Sequence, residues 1–273
     1  MRGLEPLRNL GLLLSLLPRH PLELRDRMAG YAELGLERLS GTPPTYETVG
    51  WEQALRDVEE RLGGARGILE EPALTQIEED TRGLLGDIRR EDTFSQRWAA
   101  DSLLARCCYV LCRLIQPSVV VETGVAYGVS SAFILRALEV NGRGALHSVD
   151  LPPLRREAGR FWGIAVPDGL RDRWRLHRGA SGRVLPRLLE KTGPVNLFVH
   201  DSLHTFGNMR REFETVWPYL RAGGALLADD VERNRAFGEL RYKDPTLWRV
   251  VGDVEVDPLH GRAAPVVFGV AIK

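Results

Sequence analysis

The sequence has no net charge and no long apolar run. Its 37 Lys and Arg balance its 37 Asp and Glu, so no overall field attracts nucleic acid or an anionic membrane, and we expect neither as a partner. A bilayer crossing needs roughly 20 apolar residues, whereas the apolar run at residues 11–17 ends at Pro18. No small-residue cleavage site follows it, so we expect an amphipathic helix instead of a signal peptide. These absences predict a cytoplasmic protein that holds its ligand in a local site.

Cysteine is also scarce. The three cysteines, Cys107, Cys108 and Cys112, lie within the apolar residues 103–115. An odd count without Cys-x-x-Cys spacing argues against a disulfide framework and favours reduced thiols. We therefore predict a buried helix over residues 103–115, in a protein of the reducing cytosol.

The balanced charge hides two regions of opposite sign. Residues 1–95 hold 12 Arg, no Lys and 18 acids, a net charge of −6, which leaves +6 for residues 96–273. In the first region Leu and Ile recur at helical spacing, and Pro43 and Pro44 interrupt the pattern. We predict that residues 1–95 form a helical cap that covers a bound acceptor or builds a homodimer.

Residues 96–273 alternate short apolar strands with segments of helical length. An amphipathic helix is predicted from Phe206 to Leu220, because apolar side chains recur there every three or four residues. Elements that alternate in this way form a parallel sheet with helices on both faces, and such sheets bind ligands beyond the carboxyl ends of their strands. The predicted strands are residues 118–122, 145–149, 195–199, 225–228 and 266–272.

The first two strands each end in an acid. The first ends in Glu122, and Gly124 and Gly128 follow at a spacing that lets the backbone turn tightly and approach a ligand. This spacing differs from the Gly-x-Gly-x-x-Gly of dinucleotide sites. Asp150 ends the second strand and is placed to accept hydrogen bonds from ribose hydroxyls, or alternatively to cap the next helix. The carboxylate of Glu122 favours a ligand that bears an amine over a phosphate.

This arrangement resembles the S-adenosylmethionine (SAM) site of class I methyltransferases: a strand, Glu-x-Gly-x-x-x-Gly, a helix, and a strand that ends in an acid. The resemblance covers about residues 97–273 and implies a seven-stranded, mostly parallel, Rossmann-like α/β sheet. Residues 177–181 are similar to the loop that approaches the adenine in catechol-type O-methyltransferases. The cofactor contacts that the resemblance implies are Glu122, Gly124, Tyr127, Gly128, Ser130, Asp150, Ser181 and Asp201.

Three more acids follow the later strands. Asp201 comes after the strand at residues 195–199, and Asp229 and Asp230 come after the strand at residues 225–228. Converging carboxylates repel one another unless a cation neutralises them, and oxygen ligands without cysteine suit Mg²⁺, with Mn²⁺ tolerated. The three acids match the metal positions of metal-dependent O-methyltransferases, with Asp230 in the place of an Asn.

His204 lies three residues beyond Asp201. By resemblance it takes the place of the catalytic lysine of catechol-type enzymes, where sugar O-methyltransferases of macrolide biosynthesis use histidine. An imidazole titrates near neutral pH, so we predict that His204 is the general base that accepts a proton from the acceptor hydroxyl. The alternative is a loop or helix-capping histidine. His200, next to Asp201, should point to the opposite face of its strand and pack against a helix.

Together these features predict a SAM-dependent, divalent-metal-dependent O-methyltransferase that acts on a small-molecule hydroxyl. The residues from Asp201 to Asp230 resemble sugar and secondary-metabolite methyltransferases grouped with the so-called cephalosporin hydroxylases, which implies a role in natural product biosynthesis. The polar residues 232–248 are predicted to cover the acceptor pocket. Three alternatives stay open: a metal-independent methyltransferase, a nucleotide-dependent oxidoreductase, which the glycine spacing disfavours, and a non-catalytic binding module.

Overall fold

Seven strands form one sheet in the computed structural model, which describes residues 10–39, 43–64, 67–88, 100–256 and 263–273. The strands are β1 (Val119–Thr123), β2 (Ala145–Asp150), β3 (Trp174–Arg178), β4 (Val195–His200), β5 (Leu220–Asp229), β6 (Leu247–Val256) and β7 (Ala263–Ile272). Their order across the sheet is β3-β2-β1-β4-β5-β7-β6. β7 runs antiparallel to β5 and β6, and the other neighbouring pairs are parallel. The predicted seven-stranded, mostly parallel sheet is confirmed.

The helices alternate with the strands as the hydrophobic pattern predicts. They are α1 (Leu10–Ser15), α2 (Pro21–Glu37), α3 (Trp51–Leu62), α4 (Pro72–Asp87), α5 (Ser102–Ile115), α6 (Val129–Val140), α7 (Ser181–Thr192), α8 (Phe206–Val216) and α9 (Ala236–Glu239). Within the described ranges, none of these helices combines the length and apolarity that a bilayer crossing requires.

Each face of the sheet is buried beneath its own group of helices. On one face α5 and α6 pack over residues such as Val120 and Leu146, and on the other α7 and α8 pack over Phe198 and Leu226. The three cysteines are free and buried on α5, as predicted. Burial raises the pKa of the Cys107 thiol to about 12, which keeps it protonated and unreactive.

The two strands at the edges of the sheet are missing from the sequence prediction. β3 carries Arg175 and Arg178, and β6 carries Arg249 and Asp253. An edge strand has a partner on one side and tolerates charged side chains, so its apolar pattern is weaker than that of an inner strand. The inner strands β1, β2, β4 and β5 and the apolar β7 were all predicted, with ends shifted by a few residues.

The described part of the first 88 residues is helical, but its helices differ in how they are attached. α3 and α4 contribute Val58, Leu74 and Ile77 to the core beneath one face of the sheet. Among the described residues 10–39, by contrast, Leu13 is the one buried apolar side chain, and it belongs to neither core. The predicted boundary between residues 95 and 96 lies outside the described residues.

Candidate active site

The turn between β1 and α6 brings the backbone of two strands into close contact. Gly124 and Gly128 both have left-handed φ angles, of 87° and 83°. A Cβ atom built on Gly124 would lie 1.9 Å from the carbonyl oxygen of Asp201, so no side chain fits there. Gly128 is the residue that precedes the first turn of α6. The glycine spacing in the sequence is therefore a steric requirement of this turn.

Glu122 lies beneath this turn and is fully buried. Its carboxylate accepts hydrogen bonds from the hydroxyls of Ser130 at 2.5 Å, Ser131 at 2.6 Å and Ser148 at 2.7 Å. Burial raises the pKa of Glu122, and the three hydroxyls partly offset that effect. Glu122 and Ser130 thus contact each other and fix the start of α6, while their contact with a cofactor stays a prediction.

Asp150, at the end of β2, is bonded to the same turn. Its Oδ2 accepts from the amides of Val125 and Ala126, both at 3.2 Å, and from Nε1 of Trp162 at 2.9 Å. Its Oδ1 accepts from the amide of Leu151 at 2.7 Å. Burial raises the pKa of Asp150, while these donors act in the opposite direction. The alternative prediction was that Asp150 caps the next helix. It does not, because the groups that donate to its carboxylate lie in loops.

The other predicted cofactor contacts border this region. Tyr127 is fully buried within the turn, and its carbonyl oxygen accepts from the amide of Ala165 at 2.8 Å. Ser181 is the first residue of α7, and its hydroxyl lies 3.4 Å from Oδ1 of Asn208. The structure thus assembles the predicted contacts around the carboxyl ends of β1, β2, β3 and β4.

The strand-end acids meet His204 at the same edge of the sheet. Asp201, His204 and Asp229 each offer a ligand atom, and these three atoms all lie within 4.8 Å of one another. Burial raises the pKa of Asp201 well above its usual range, with Glu122 adding to the effect, and burial next to Asp201 does the same for Asp229. The site therefore favours a positive charge between these carboxyls.

Asp230, the predicted third ligand, faces a different partner. It has a left-handed φ angle of 52°, and its Oδ2 lies 2.5 Å from Nη2 of Arg233. Nε2 of His204 lies 3.6 Å from the same Oδ2 and 3.7 Å from Oδ1 of Asp201. His204 rather than Asp230 thus completes the compact group of donors, although Asp230 stays within reach of it.

His204 is held as a neutral imidazole. Its burial lowers its pKa well below the usual value, and the neighbouring His200 and Arg233 lower it further. Its Nδ1 is buried without a hydrogen-bond partner, while its Nε2 faces the carboxylates. A neutral imidazole nitrogen in this place can bind a cation or accept a proton.

The buried pair of His200 and Glu212 was not predicted from the sequence. His200 packs against α8, as predicted, with its Nδ1 2.7 Å from Oε2 of Glu212. The carboxylate of Glu212 also accepts from Thr123 at 2.5 Å and from Ser202 at 2.8 Å. The sequence does hold a signal for this residue, since Glu212 falls on the apolar side of α8 between Met209 and Phe213.

The polar segment after β5 does not stand apart from the core. Phe237 is fully buried and stacks on Trp248 with 5.1 Å between the ring centroids. Part of the segment 232–248, which was predicted to cover the acceptor pocket, is therefore used in packing, while Arg233 and Arg235 are exposed.

Comparison with known proteins agrees with this geometry. A family model described as a methyltransferase domain matches residues 121–231, from β1 through Val231. These residues resemble a methyltransferase domain. The match spans the glycine turn, Asp150 and all of the strand-end acids, so the predicted family is confirmed for this part of the chain. No curated protein sequence matches the chain.

Solved structures resemble the fold of this chain over most of its length. The O-methyltransferase TomG from Streptomyces achromogenes, solved in complex with SAM, has a TM-score of 0.50 and 19% identity, over 81% of this chain and 96% of TomG. An O-methyltransferase from Bacillus cereus, solved in complex with SAH, has a TM-score of 0.47 and 15% identity, over 82% of this chain and 98% of its own. At these identities the likeness to TomG shows the shared fold.

Proposed function

We propose that this protein is a SAM-dependent O-methyltransferase that requires a divalent cation, Mg²⁺ or Mn²⁺, and methylates a hydroxyl of a small molecule. One observation carries the proposal: the donor atoms of Asp201, His204 and Asp229 lie within 4.8 Å of one another, beside the glycine turn of a methyltransferase domain. When bound, the cation supplies the positive charge that stabilises an acceptor oxygen as it loses its proton.

The residues fit such a cation. Asp201 and Asp229 are buried together, and burial raises the pKa of both. Carboxylates in this position are either protonated or neutralised by a positive charge. Oxygen donors, with imidazole as an addition, suit Mg²⁺ and Mn²⁺. We therefore retain Asp201, Asp229 and Asp230 as the proposed ligands, with Asp230 leaving Arg233 when a cation is present.

The cofactor is proposed to lie along the ends of β1, β2 and β3. Gly124 and Gly128 let the turn pack closely against Asp201 and Gly163, and the backbone of this turn, with Tyr127 and Ser130, is the proposed neighbour of the methionine part of the cofactor. A carboxylate accepts up to about four hydrogen bonds. Oδ1 of Asp150 accepts one from the protein and can still take a ribose hydroxyl. Ser181, at the first turn of α7, is the proposed neighbour of the adenine.

His204 is the proposed general base. Its Nε2 faces the space between Asp201 and Asp230, where an acceptor hydroxyl would lie beside the ligands. Its lowered pKa leaves Nε2 free to receive a proton at neutral pH. The chain then has separate groups for the two roles, because the carboxylates hold the charge and the neutral imidazole takes the proton.

The proposed acceptor is a sugar or a natural product, and the protein is proposed to be cytoplasmic. The resemblance of the residues around Asp201 and His204 to sugar and secondary-metabolite enzymes supports this acceptor. A homodimer is proposed on the apolar outer side of α1 and α2, where Leu14, Leu36 and Leu39 are 56%, 67% and 83% exposed. Contiguous exposed apolar side chains favour association.

A metal-independent methyltransferase is the second candidate. One contact favours it: the guanidinium of Arg233 already lies 2.5 Å from Asp230 and brings a positive charge to the cluster. In that case Asp229 would keep a proton, and the chemistry would rest on His204 and on the placement of the acceptor.

Transfer of a labelled methyl group from SAM to a panel of sugars, phenols and natural products tests the proposal. We expect turnover that EDTA abolishes and Mg²⁺ restores, and Asp229→Asn is expected to lower kcat at least about 100-fold because it removes a charged ligand. Glu60→Gln, an exposed carboxylate on α3, is the matched control. Turnover that survives EDTA would select the metal-independent candidate, and binding of NAD(P) without binding of SAH would refute both.

A second pair of variants separates the roles of His204 and Asp230. If His204 is the base, His204→Ala lowers kcat and removes the acidic limb of its pH profile while Mg²⁺ affinity is kept. If His204 is instead a ligand, the same variant loses Mg²⁺ affinity and Asp230→Asn does not. Isothermal titration with Mg²⁺ alone measures the affinity in both variants.

A further inference from the structure

Helix α2 is attached to the methyltransferase domain by its charged side. The residues that face the domain recur at helical spacing and include Glu23, Asp26, Glu33 and Glu37, of which Glu23 is 6% exposed. An amphipathic helix normally turns its apolar side to the protein. In α2 the apolar side instead faces away from the protein, since Leu22, Met28 and Leu36 are 53%, 50% and 67% exposed.

Three ion pairs connect α2 to separate elements of the domain. Glu23 lies 2.6 Å from Arg178 at the end of β3. Asp26 lies 2.8 Å from Arg183 in the first turn of α7. Glu33 lies 2.8 Å from Arg211 on α8. We call these three contacts, Glu23–Arg178, Asp26–Arg183 and Glu33–Arg211, the cap ion pairs.

The cap ion pairs cross the edge of the sheet where the proposed cofactor site lies. Arg178 is the register partner of Asp150 in the pairing of β2 with β3. Arg27, also on α2, donates a hydrogen bond to the carbonyl oxygen of Pro152, two residues after Asp150. At its other end, α2 accepts a hydrogen bond through Glu33 from the hydroxyl of Thr205, which follows His204. The helix thus extends from the proposed ribose carboxylate to the proposed base.

The attachment of α2 is one that can open at low cost. The side chains of Glu23 and Asp26 are only 7% exposed, so the cost of removing these carboxylates from water offsets much of the attraction in their ion pairs. The pair of Glu33 and Arg211 is partly exposed, contributes about 0 to 1 kcal/mol and weakens with salt. Gly30 and Gly35 lie inside the helix, and an interior glycine destabilises a helix by about 1 kcal/mol relative to alanine. In α2 the one buried residue is Glu23, and in the described residues 10–39 the one buried apolar side chain is Leu13 of α1, so α2 can leave the domain while exposing little of its hydrophobic interior.

We propose that α2 is a removable cap over the cofactor site, which opens for cofactor exchange and is closed by the cap ion pairs. The inference rests on the proposed function, because the site it covers is the proposed SAM site. In the closed position, α2 places charged groups at the adenosine end of the site, between the ends of β2 and β3. These groups slow the dissociation of the bound cofactor. The helix lies outside the residues that match the methyltransferase family, so this contribution belongs to this chain's own N-terminal region.

The dissociation rate of SAH, followed by stopped-flow tryptophan fluorescence, tests the cap. In the double variant Asp26→Asn with Glu33→Gln we expect SAH to dissociate about tenfold faster at low salt, from the loss of two ion pairs. Raising the salt concentration should speed dissociation from the wild type more than from the variant. Glu60→Gln is the control for loss of an exposed carboxylate, and thermal unfolding checks that the domain stays folded.

A charge exchange makes the test specific. Asp26→Arg alone should speed dissociation further, and Asp26→Arg combined with Arg183→Asp should return it to within about threefold of the wild type, as expected for one restored pair. Hydrogen exchange at the amides of residues 22–37 should slow when SAH binds.

The outcomes separate the two proposals. If SAH binds while neither its dissociation rate nor the exchange of α2 responds to these changes, the cap is wrong and the proposed function stands. If the wild type does not bind SAH at all, the proposed cofactor is wrong, and the proposal that α2 caps its site is then wrong as well.

Discussion

Gly124 occupies a position where the fold leaves no space for a side chain. Its φ angle is left-handed, and a Cβ atom would lie 1.9 Å from the backbone of Asp201. We expect Gly124→Ala to lower the free energy of unfolding by more than about 3 kcal/mol, because the strained φ angle and the clash add. Urea unfolding measures this change.

A second glycine separates the two causes. Gly142 also has a left-handed φ angle, of 68°, but no atom lies within 4 Å of the position of its Cβ. Gly142→Ala should therefore cost only the conformational strain, about 1 to 2 kcal/mol. Equal losses in the two variants would show that β4 can move away from the turn.

Glu212 shows how a buried acid depends on its partners. Burial alone would raise its pKa, but the neighbouring His200 and hydrogen bonds from His200, Ser181 and Thr123 lower it to about 2. A lowered pKa in the folded state stabilises the fold above the unfolded value near 4.5, and this stability is lost as the pH falls towards 2.

We expect the wild type to lose stability steeply between pH 5 and about pH 2 and Glu212→Gln to show a shallower loss. At neutral pH the variant should be about 1.5 to 3 kcal/mol less stable, because the charged acceptor of several buried hydrogen bonds is removed. Unfolding curves over this pH range give both quantities, and the exposed Glu60→Gln should follow the wild type. A variant with the wild-type pH slope would show that Glu212 is not the titrating group.

At the scale of elements, the start of α8 links the site to α2. The hydroxyl of Thr205 accepts a hydrogen bond from the amide of Asn208 at 3.3 Å and donates one to Glu33 at 2.9 Å. Thr205→Ala should lower the free energy of unfolding by about 1 kcal/mol, the usual cost of losing a helix cap. Thr205→Ser keeps the hydroxyl and should retain most of the stability in the same unfolding experiment. A serine variant as unstable as the alanine variant would assign the effect to packing of the methyl group.

Elements were predictable where their own residues carry a strong pattern. The inner strands and α8 have apolar positions at the period of a strand or a helix, and the structure confirms them. β3 and β6 could not be found in this way, because each lies at an edge and carries charged residues such as Arg175 and Asp253. Their existence depends on the neighbouring strand that each one pairs with.

At the scale of the whole molecule, the reversed polarity of α2 bears on assembly. Its apolar side and that of α1 are exposed on the single chain, and burying a leucine side chain contributes about 1.5 to 3 kcal/mol. We expect light scattering after size exclusion to give twice the chain mass of 30.6 kDa. Leu36→Glu with Leu39→Glu should give the single-chain mass.

The control for this prediction is Tyr242→Glu. Tyr242 is 87% exposed and belongs to neither α1 nor α2, so its substitution should leave the mass unchanged. A wild type that elutes at 30.6 kDa at every concentration would refute the dimer.

The sequence by itself determined the alternation of strands and helices, the glycines of the turn and the gathering of acids at one edge of the sheet. These features follow from local periodicity and from the rule that parallel strands end together. The tertiary structure decided what each acid contacts: Glu122 meets three serines, Asp150 meets backbone amides, and Asp230 meets Arg233. It also decided which side of α2 faces the domain, since Glu23 finds Arg178 across 155 residues of chain. Partners so distant in sequence are set by the packing of the whole fold, and no local pattern encodes them.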